Sequence, residues 1–303
     1  MTSVGDKGDF KDKQFAESEV ASKVIEQYDE AHARVFYKYV MGGGGLDIHY
    51  GCYSKSSDTV YESSKETNNR LMTSMNWTRP ITPESCVLDL GSGHGGLSHE
   101  LAVKYGCQVQ GLNISPEQNK INVEEAKKLG VGHLVSVDLA DFNDGLPQEY
   151  TGKFTHIISC EVLCHAANKP ALFQELKRVS QPGAAFAFTD IMGADGADEK
   201  VLKDFTDRNA TTKMARPSEY MTLLKESGYR EVSYLDYSPH LHFFFQGMVD
   251  QINKHRDDMK NEGVTDAYLD KWLDSLTSRV TIQKEHNVFA WGIFNSRLDG
   301  PIY

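Results

Sequence analysis

Apolar side chains at Phe15, Val20, Val24, Tyr28, Ala31, Val35 and Tyr39 recur every three to five residues, the period of a helix with one buried face. The spacing predicts an amphipathic helix that runs up to four consecutive glycines, Gly42 to Gly45. A second helical pattern covers 59–76, and TRPITPES (78–85) reads as loop. Residues 1–12 are polar and aperiodic, so a disordered tail is expected there.

Beyond position 85 short apolar runs alternate with helical ones. CVLDL (86–90), CQVQGLNIS (107–115), HLVSVDLADF (133–142), FTHIISC (154–160) and AAFAFTDI (184–191) read as strands. Between them HGGLSHELAVKYG (94–106), PEQNKINVEEAKKLG (116–130) and ALFQELKRVS (171–180) read as helices, the second with Pro at its start and Gly at its end. Such alternation predicts an α/β, Rossmann-like fold: a doubly wound, mostly parallel sheet with helices on both faces. A mixed segment (195–216), a helix carrying Tyr220, Leu223 and Leu224, and the strand YREVSYLDY (229–237) follow. Residues 238–286 are mainly helical and precede a last strand, NVFAWGIFNS (287–296). An insertion of about 50 residues exceeds an ordinary connection and is expected to cap the ligand face.

Composition narrows the class. The formal charge of −11, from 43 acidic and 32 basic residues, has no basic stripe, which argues against nucleic-acid binding and for a small-molecule substrate. Five cysteines form no C-x-x-C pair, so neither a disulfide framework nor a zinc site is indicated, and a reduced, cytoplasmic setting is expected. The first residues lack the apolar core of a signal peptide, and no run approaches the ~20 apolar residues that cross a membrane.

VLDLGSGHGG (87–96) places Asp89, Gly91, Gly93 and Gly95 directly after the first strand, where glycines admit a ligand against the backbone at a helix N-terminus. Gly91, Gly93 and Gly96 also fit the dinucleotide pattern G-x-G-x-x-G. Against a nicotinamide cofactor stand an acid inside the strand, Asn113 rather than Asp or Glu after strand two, and ADF (140–142), whose Asp141 can accept from an adenine amine.

The set VLDLGSGHGG, LNISPEQN, ADF, SCEVLCHAANKPALFQELKRVSQPG and a final antiparallel strand resembles the class I S-adenosylmethionine-dependent methyltransferases. Within them QYDEAHARVFYKYVMGGGGLDIHYGCY, LNISPEQN, TDIM and AWGIF resemble the sarcosine/dimethylglycine N-methyltransferases, relatives of the phosphoethanolamine enzymes. The resemblance implies a seven-stranded sheet with its last strand antiparallel. It implies division into an N-terminal helical lid (13–77), a cofactor-binding core (78–237), a helical substrate cap (238–286) and a last strand with C-terminal tail (287–303). The cofactor is then S-adenosylmethionine, leaving as S-adenosylhomocysteine. Asp89 would meet its amino group over Gly91 and Gly93, Asn113 and Gln118 its ribose, and Asp141 and Phe142 its adenine. Ile48, His49 and Glu161 would line the same site.

Methyl transfer to an amine requires an unprotonated nitrogen, and the resemblance pairs Tyr28 with His165 as the catalytic groups. Glu161 and His165, four apart, share a face if a helical turn starts there. Aromatic faces would attract a methylated ammonium, with Tyr28, Tyr50, Tyr53 and Phe243 to Phe245 as candidates. A substrate carboxylate calls for arginine, Arg208 or Arg216, and His240 opens the cap. No metal is expected. Ile191 in TDIM stands where phosphobase relatives place tyrosine, which favours a small carboxylated amine, sarcosine or dimethylglycine, toward glycine betaine. The alternatives are the sulfur of a thioether acid such as 4-methylthio-2-hydroxybutyrate, a phosphoethanolamine-type acceptor, or a nucleotide-binding module without catalysis. A monomer or homodimer is expected. Tetraglycine then reads as the hinge of the lid.

Overall fold

In the computed structural model, which describes residues 31–198, 200–202 and 214–300, the apolar runs become the strands of one sheet. β1 (Cys86–Leu90), β2 (Gln108–Asn113), β3 (Val135–Leu139), β4 (Phe154–Cys160) and β5 (Ser180–Gly193) pair in parallel in the order 3-2-1-4-5. β7 (Phe289–Leu298) runs antiparallel between β5 and β6 (Tyr229–Asp236), so the last strand has the expected direction. The order reverses between β1 and β4, the place where open α/β sheets bind ligands at the carboxyl ends of their strands.

Among the described residues the longer helices are α1 (Ala31–Val40), α2 (Val60–Thr78), α3 (Gly96–Tyr105), α4 (Pro116–Lys128), α5 (Lys169–Val179), α6 (Pro217–Glu226), α7 (Leu241–Asn261) and α8 (Asp266–His286). Local chemistry fixes their starts. Thr59 and Glu62 form a reciprocal capping box at α2, Ser115 accepts from Gln118 ahead of Pro116 at α4, and Thr265 caps α8. One core lies on the α2 and α3 face of the sheet, with Leu71, Met75, Leu101 and Ile293 buried. The opposite face stacks aromatics: Phe188 on Phe294 at 4.7 Å, and Phe186 on Phe188 at 4.9 Å. None of the helices among the described residues is long and apolar enough to cross a membrane.

A third core joins α1, α7 and α8. Phe36 stacks on Trp272 at 4.8 Å, while Lys38 and Tyr39 both donate to Glu262 at the α7–α8 turn. The tetraglycine leaves α1 as an ordered turn, with φ of 73°, 58°, 81° and 72° in succession and the Gly45 N–H on the Gly42 carbonyl. A Cβ on Gly43 would come within 2.1 Å of the Tyr61 ring, so this turn accepts glycine there on both backbone and steric grounds. His94, in the loop after β1, donates through Nδ1 to the Gly45 carbonyl at 2.6 Å and ties the turn to that loop.

Two expectations change in detail. β3 stops at Leu139 rather than 142, because Asp141 accepts from the Asn143 N–H at 2.9 Å and draws the chain into a tight turn, a local bond that competes with the strand ladder. EVLCHAANK does not begin a helix: Glu161 has φ 57° and only a short 3-10 turn, Leu163–His165, follows. The tail, the first half of the N-terminal helix with Tyr28, and Arg208 lie outside the described residues.

Candidate active site

The carboxyl ends of β1 to β4 open onto a cleft of about 1020 Å³, its solvent-facing space included. Asp89, at the end of β1, is 4% exposed and accepts from Ser98 Oγ at 2.5 Å. Burial pushes its pKa up to about 6, since Ser98 alone does not repay the lost hydration. Gly91 turns the chain away from Asp89 at φ 76°, and its missing side chain leaves room for Val162, which a Cβ would approach to 2.3 Å.

At the end of β2 the Asn113 amide donates to Gln118 Oε1 at 3.1 Å and to Asn119 Oδ1 at 3.0 Å. Both N–H donors are thereby used, which leaves the side-chain oxygen as its remaining valence in the cleft. After β3, Asp141 Oδ1 accepts from the backbone and side chain of Asn143, while Oδ2 is buried without a hydrogen-bond partner. Phe142 is half-buried and lines the same cleft, as do Gly93 and Gln118.

The fourth wall comes from the segment after the tetraglycine. Asp47 pairs with Lys65 at 2.8 Å, accepts from Asn68 at 2.9 Å and lies 3.7 Å from His49. Burial opposes its charge, yet His49 and Lys65 hold the carboxyl well below the usual carboxylate range. His49 is raised in turn: burial disfavours the imidazolium, but Asp47 outweighs it.

A second cavity adjoins the first. Ile48, His49, Glu161 and His165 line both, and so mark their boundary. Glu161 Oε1 accepts from the Trp291 indole at 2.6 Å. Burial and the neighbouring Asp190 push its pKa up to about 8, against Trp291, the Thr189 hydroxyl and His49, which favour the anion. Beyond the boundary the walls are aromatic: Tyr37, Tyr50, Phe244 and Trp272, joined by Met41, Met248 and Ile191. Tyr50 packs edge-on against Phe244, Phe245 and Trp291 at 5.1, 5.8 and 6.0 Å.

Thus the residues expected at a cofactor (Ile48, His49, Asp89, Gly91, Gly93, Asn113, Gln118, Asp141, Phe142 and Glu161) all line the first cavity, and Tyr50 and His165 line the second. Arg216 and His240 are directed elsewhere. Arg216 donates to the carbonyls of Ala194 and Ala197, bracing the turn after β5 at the start of α6. His240 accepts from the Tyr53 N–H at 2.7 Å, fastening the N-terminal segment to the cap. Neither lines a cavity of the site. Sequence reasoning missed Arg279 and Trp272, which line the second cavity from α8. The signal was present: Leu269, Trp272, Leu276, Arg279, Val280 and Gln283 form one helical stripe, and an arginine in an otherwise inward stripe needs a reason.

Comparison with known proteins agrees with this geometry. Residues 81–234 match the family described as methyltransferase domain. The sarcosine/dimethylglycine N-methyltransferase of Halorhodospira halochloris is 31% identical over 270 residues, 89% of this chain and 94% of that protein. A Galdieria sulphuraria protein, described as a candidate sarcosine dimethylglycine methyltransferase, superposes with a TM-score of 0.80 at 26% identity, over 90% of this chain and all of that one. Phosphoethanolamine N-methyltransferase 2 of Haemonchus contortus, solved with phosphomonomethylethanolamine and S-adenosylhomocysteine, shares the fold at a TM-score of 0.77 and 15% identity, over 95% of this chain and 62% of that one. The chain belongs to the methyltransferase domain family, as an S-adenosylmethionine-dependent enzyme related to the sarcosine/dimethylglycine N-methyltransferases.

Proposed function

We propose that the protein methylates the nitrogen of a small carboxylated amine, sarcosine or dimethylglycine, in the direction of glycine betaine. The observation that carries this reading is the second, aromatic cavity and the four residues it shares with the cofactor cleft. Its faces suit an ammonium that gains methyl groups and cannot shed its charge by further deprotonation. The similarity to the Halorhodospira halochloris enzyme supports the same acceptor class.

The first cavity fits S-adenosylmethionine residue by residue. The partnerless Asp141 Oδ2 suits the adenine amine, and the half-buried Phe142 its face. The oxygen of Asn113, with Gln118, suits the ribose hydroxyls. Asp89, a buried carboxylate with no ion pair among the described residues, suits the ammonium of the methionine part. Over Gly93 a Cβ would meet nothing within 4 Å, which leaves that face of the loop open to a ligand. When bound, the cofactor supplies an electrophilic methyl on a sulfonium.

The chain's own work is then alignment, exclusion of water and removal of one proton. Glu161 at the boundary orients the acceptor ammonium through its carboxylate, and His165 beside it takes the proton. The Trp291 indole fixes the Glu161 side chain and partly offsets the burial that raises its pKa to about 8, so the anion forms mainly above that pH. α1, fastened to the α7–α8 hairpin through Phe36, Lys38 and Tyr39, closes the acceptor side as a lid. A panel of glycine derivatives, thioether acids and phosphoethanolamine, read by product mass with S-adenosylmethionine as donor, tests the proposal. Methylated product from sarcosine or dimethylglycine supports it; turnover of only thioether or phosphate acceptors refutes it.

A further inference from the structure

We infer that Arg279 on α8 binds the carboxylate of the acceptor and so selects amino acids over uncharged and phosphorylated amines. The inference rests on the acceptor reading above and deepens it. Arg279 lines the second cavity and not the first, whereas Glu161 and His165 line both. The reacting end of an acceptor must lie at the shared boundary, so its far end lies toward Arg279. An acceptor with a cation at one end and an anion at the other therefore meets a carboxylate first and a guanidinium last.

Charge and burial support the assignment. Arg279 is 9% exposed, and among the described residues lining the second cavity it is the one Lys or Arg. Its guanidinium carbon lies 5.9 Å from the Phe245 ring centroid, and it sits near enough to Tyr50 to favour the phenolate against burial. Trp272, seven residues earlier, is two turns away on the same face of α8, so the helix presents an aromatic and a cation to one cavity. One guanidinium matches one carboxylate by a two-pronged hydrogen bond. A doubly charged phosphate held among these aromatics would call for more than one such group. Arg216 is committed to the carbonyls of Ala194 and Ala197.

The test compares dimethylglycine with N,N-dimethylethanolamine, which replaces the carboxylate by a hydroxyl, as acceptors for the unaltered protein and for Arg279→Gln. The unaltered protein prefers the acid. Loss of a charge-assisted hydrogen bond lowers kcat/KM for the acid by roughly tenfold to a hundredfold, mostly through KM. The rate with the alcohol and the affinity for S-adenosylhomocysteine stay as they were, and Arg279→Lys recovers part of the loss. An Arg279→Gln protein that binds S-adenosylhomocysteine normally and keeps the preference for the acid overturns the inference. A measurement on the unaltered protein guards against misfolding: glycine betaine inhibits more strongly than choline, and equal inhibition overturns the inference as well. If the unaltered protein methylates a thioether acid and no amine, the nitrogen reading fails on its own. Arg279 is then tested by the thioether acid against the corresponding alcohol.

Discussion

Replacing Asp89 by Asn separates what the site does for the fold from what it does for the ligand. The carboxyl is buried with Ser98 as its hydrogen-bond donor, and its pKa rises from the ordinary 3.8 to about 6. That rise corresponds to about 3 kcal/mol against the anion in the ligand-free fold. Because the folded pKa lies above the unfolded one, the unfolded chain binds fewer protons between pH 3.8 and about 6, and stability falls as pH rises through that window. Above it the whole penalty is present; below it the group is neutral in both states. Asparagine keeps an acceptor for Ser98 and carries no charge. The ligand-free variant should therefore be more stable than the unaltered protein by about 1–3 kcal/mol at pH 7, and nearly equal at pH 4. The same change removes the anion proposed to meet the cofactor's ammonium, so affinity for S-adenosylmethionine should fall roughly tenfold to a hundredfold at pH 7. Urea unfolding at the two pH values and calorimetric titration are the assays. A ligand-free variant less stable at pH 7 would show that the Asp89 charge does not oppose folding, and one that binds S-adenosylmethionine as tightly as before would remove Asp89 from the cofactor site.

Other changes probe other parts of the account. Gly43→Ala meets both a left-handed backbone and the Tyr61 ring, whereas Gly44→Ala meets open space, so only the first combines strain and clash. Gly44→Ala should cost about 1 kcal/mol and Gly43→Ala about 2 or more, measured by denaturant midpoint; equal losses would contradict an ordered turn. Trp291→Phe removes the indole donor from Glu161 and raises a pKa already near 8. The rising limb of the kcat profile should move about one pH unit to the alkaline side, and an unmoved limb would remove Glu161 from the reaction.

Much of this architecture was legible from the chain because the relevant signals are local. The D-x-G-x-G-x-G turn after β1 carries its own backbone requirements, and the alternation of apolar runs with amphipathic ones places β1 to β5 close to their observed limits. The proposed cofactor side was legible for the same reason: Asp89 and Asn113 stand at the carboxyl ends of β1 and β2, and Asp141 just past the end of β3. The proposed acceptor side was legible only in part, through Tyr50 and His165, because it is assembled from distant elements. Arg216 looked available in sequence, but the carbonyls after β5 occupy it. Arg279 is separated from Glu161 by more than a hundred residues and reaches the site because the α7–α8 hairpin packs in one core with α1, Ile191 and Trp291. The tetraglycine reads from sequence as the hinge of a lid; in this structure four positive φ values and the His94 bond make it an ordered turn.

The most direct test is a crystal structure with S-adenosylhomocysteine and dimethylglycine. The acceptor nitrogen is expected at the boundary beside Glu161 and His165, facing the cofactor's sulfur, with the carboxylate on Arg279 among Tyr50, Phe244 and Trp272. Dimethylglycine bound outside this cavity, or with its carboxylate at Glu161, would contradict it.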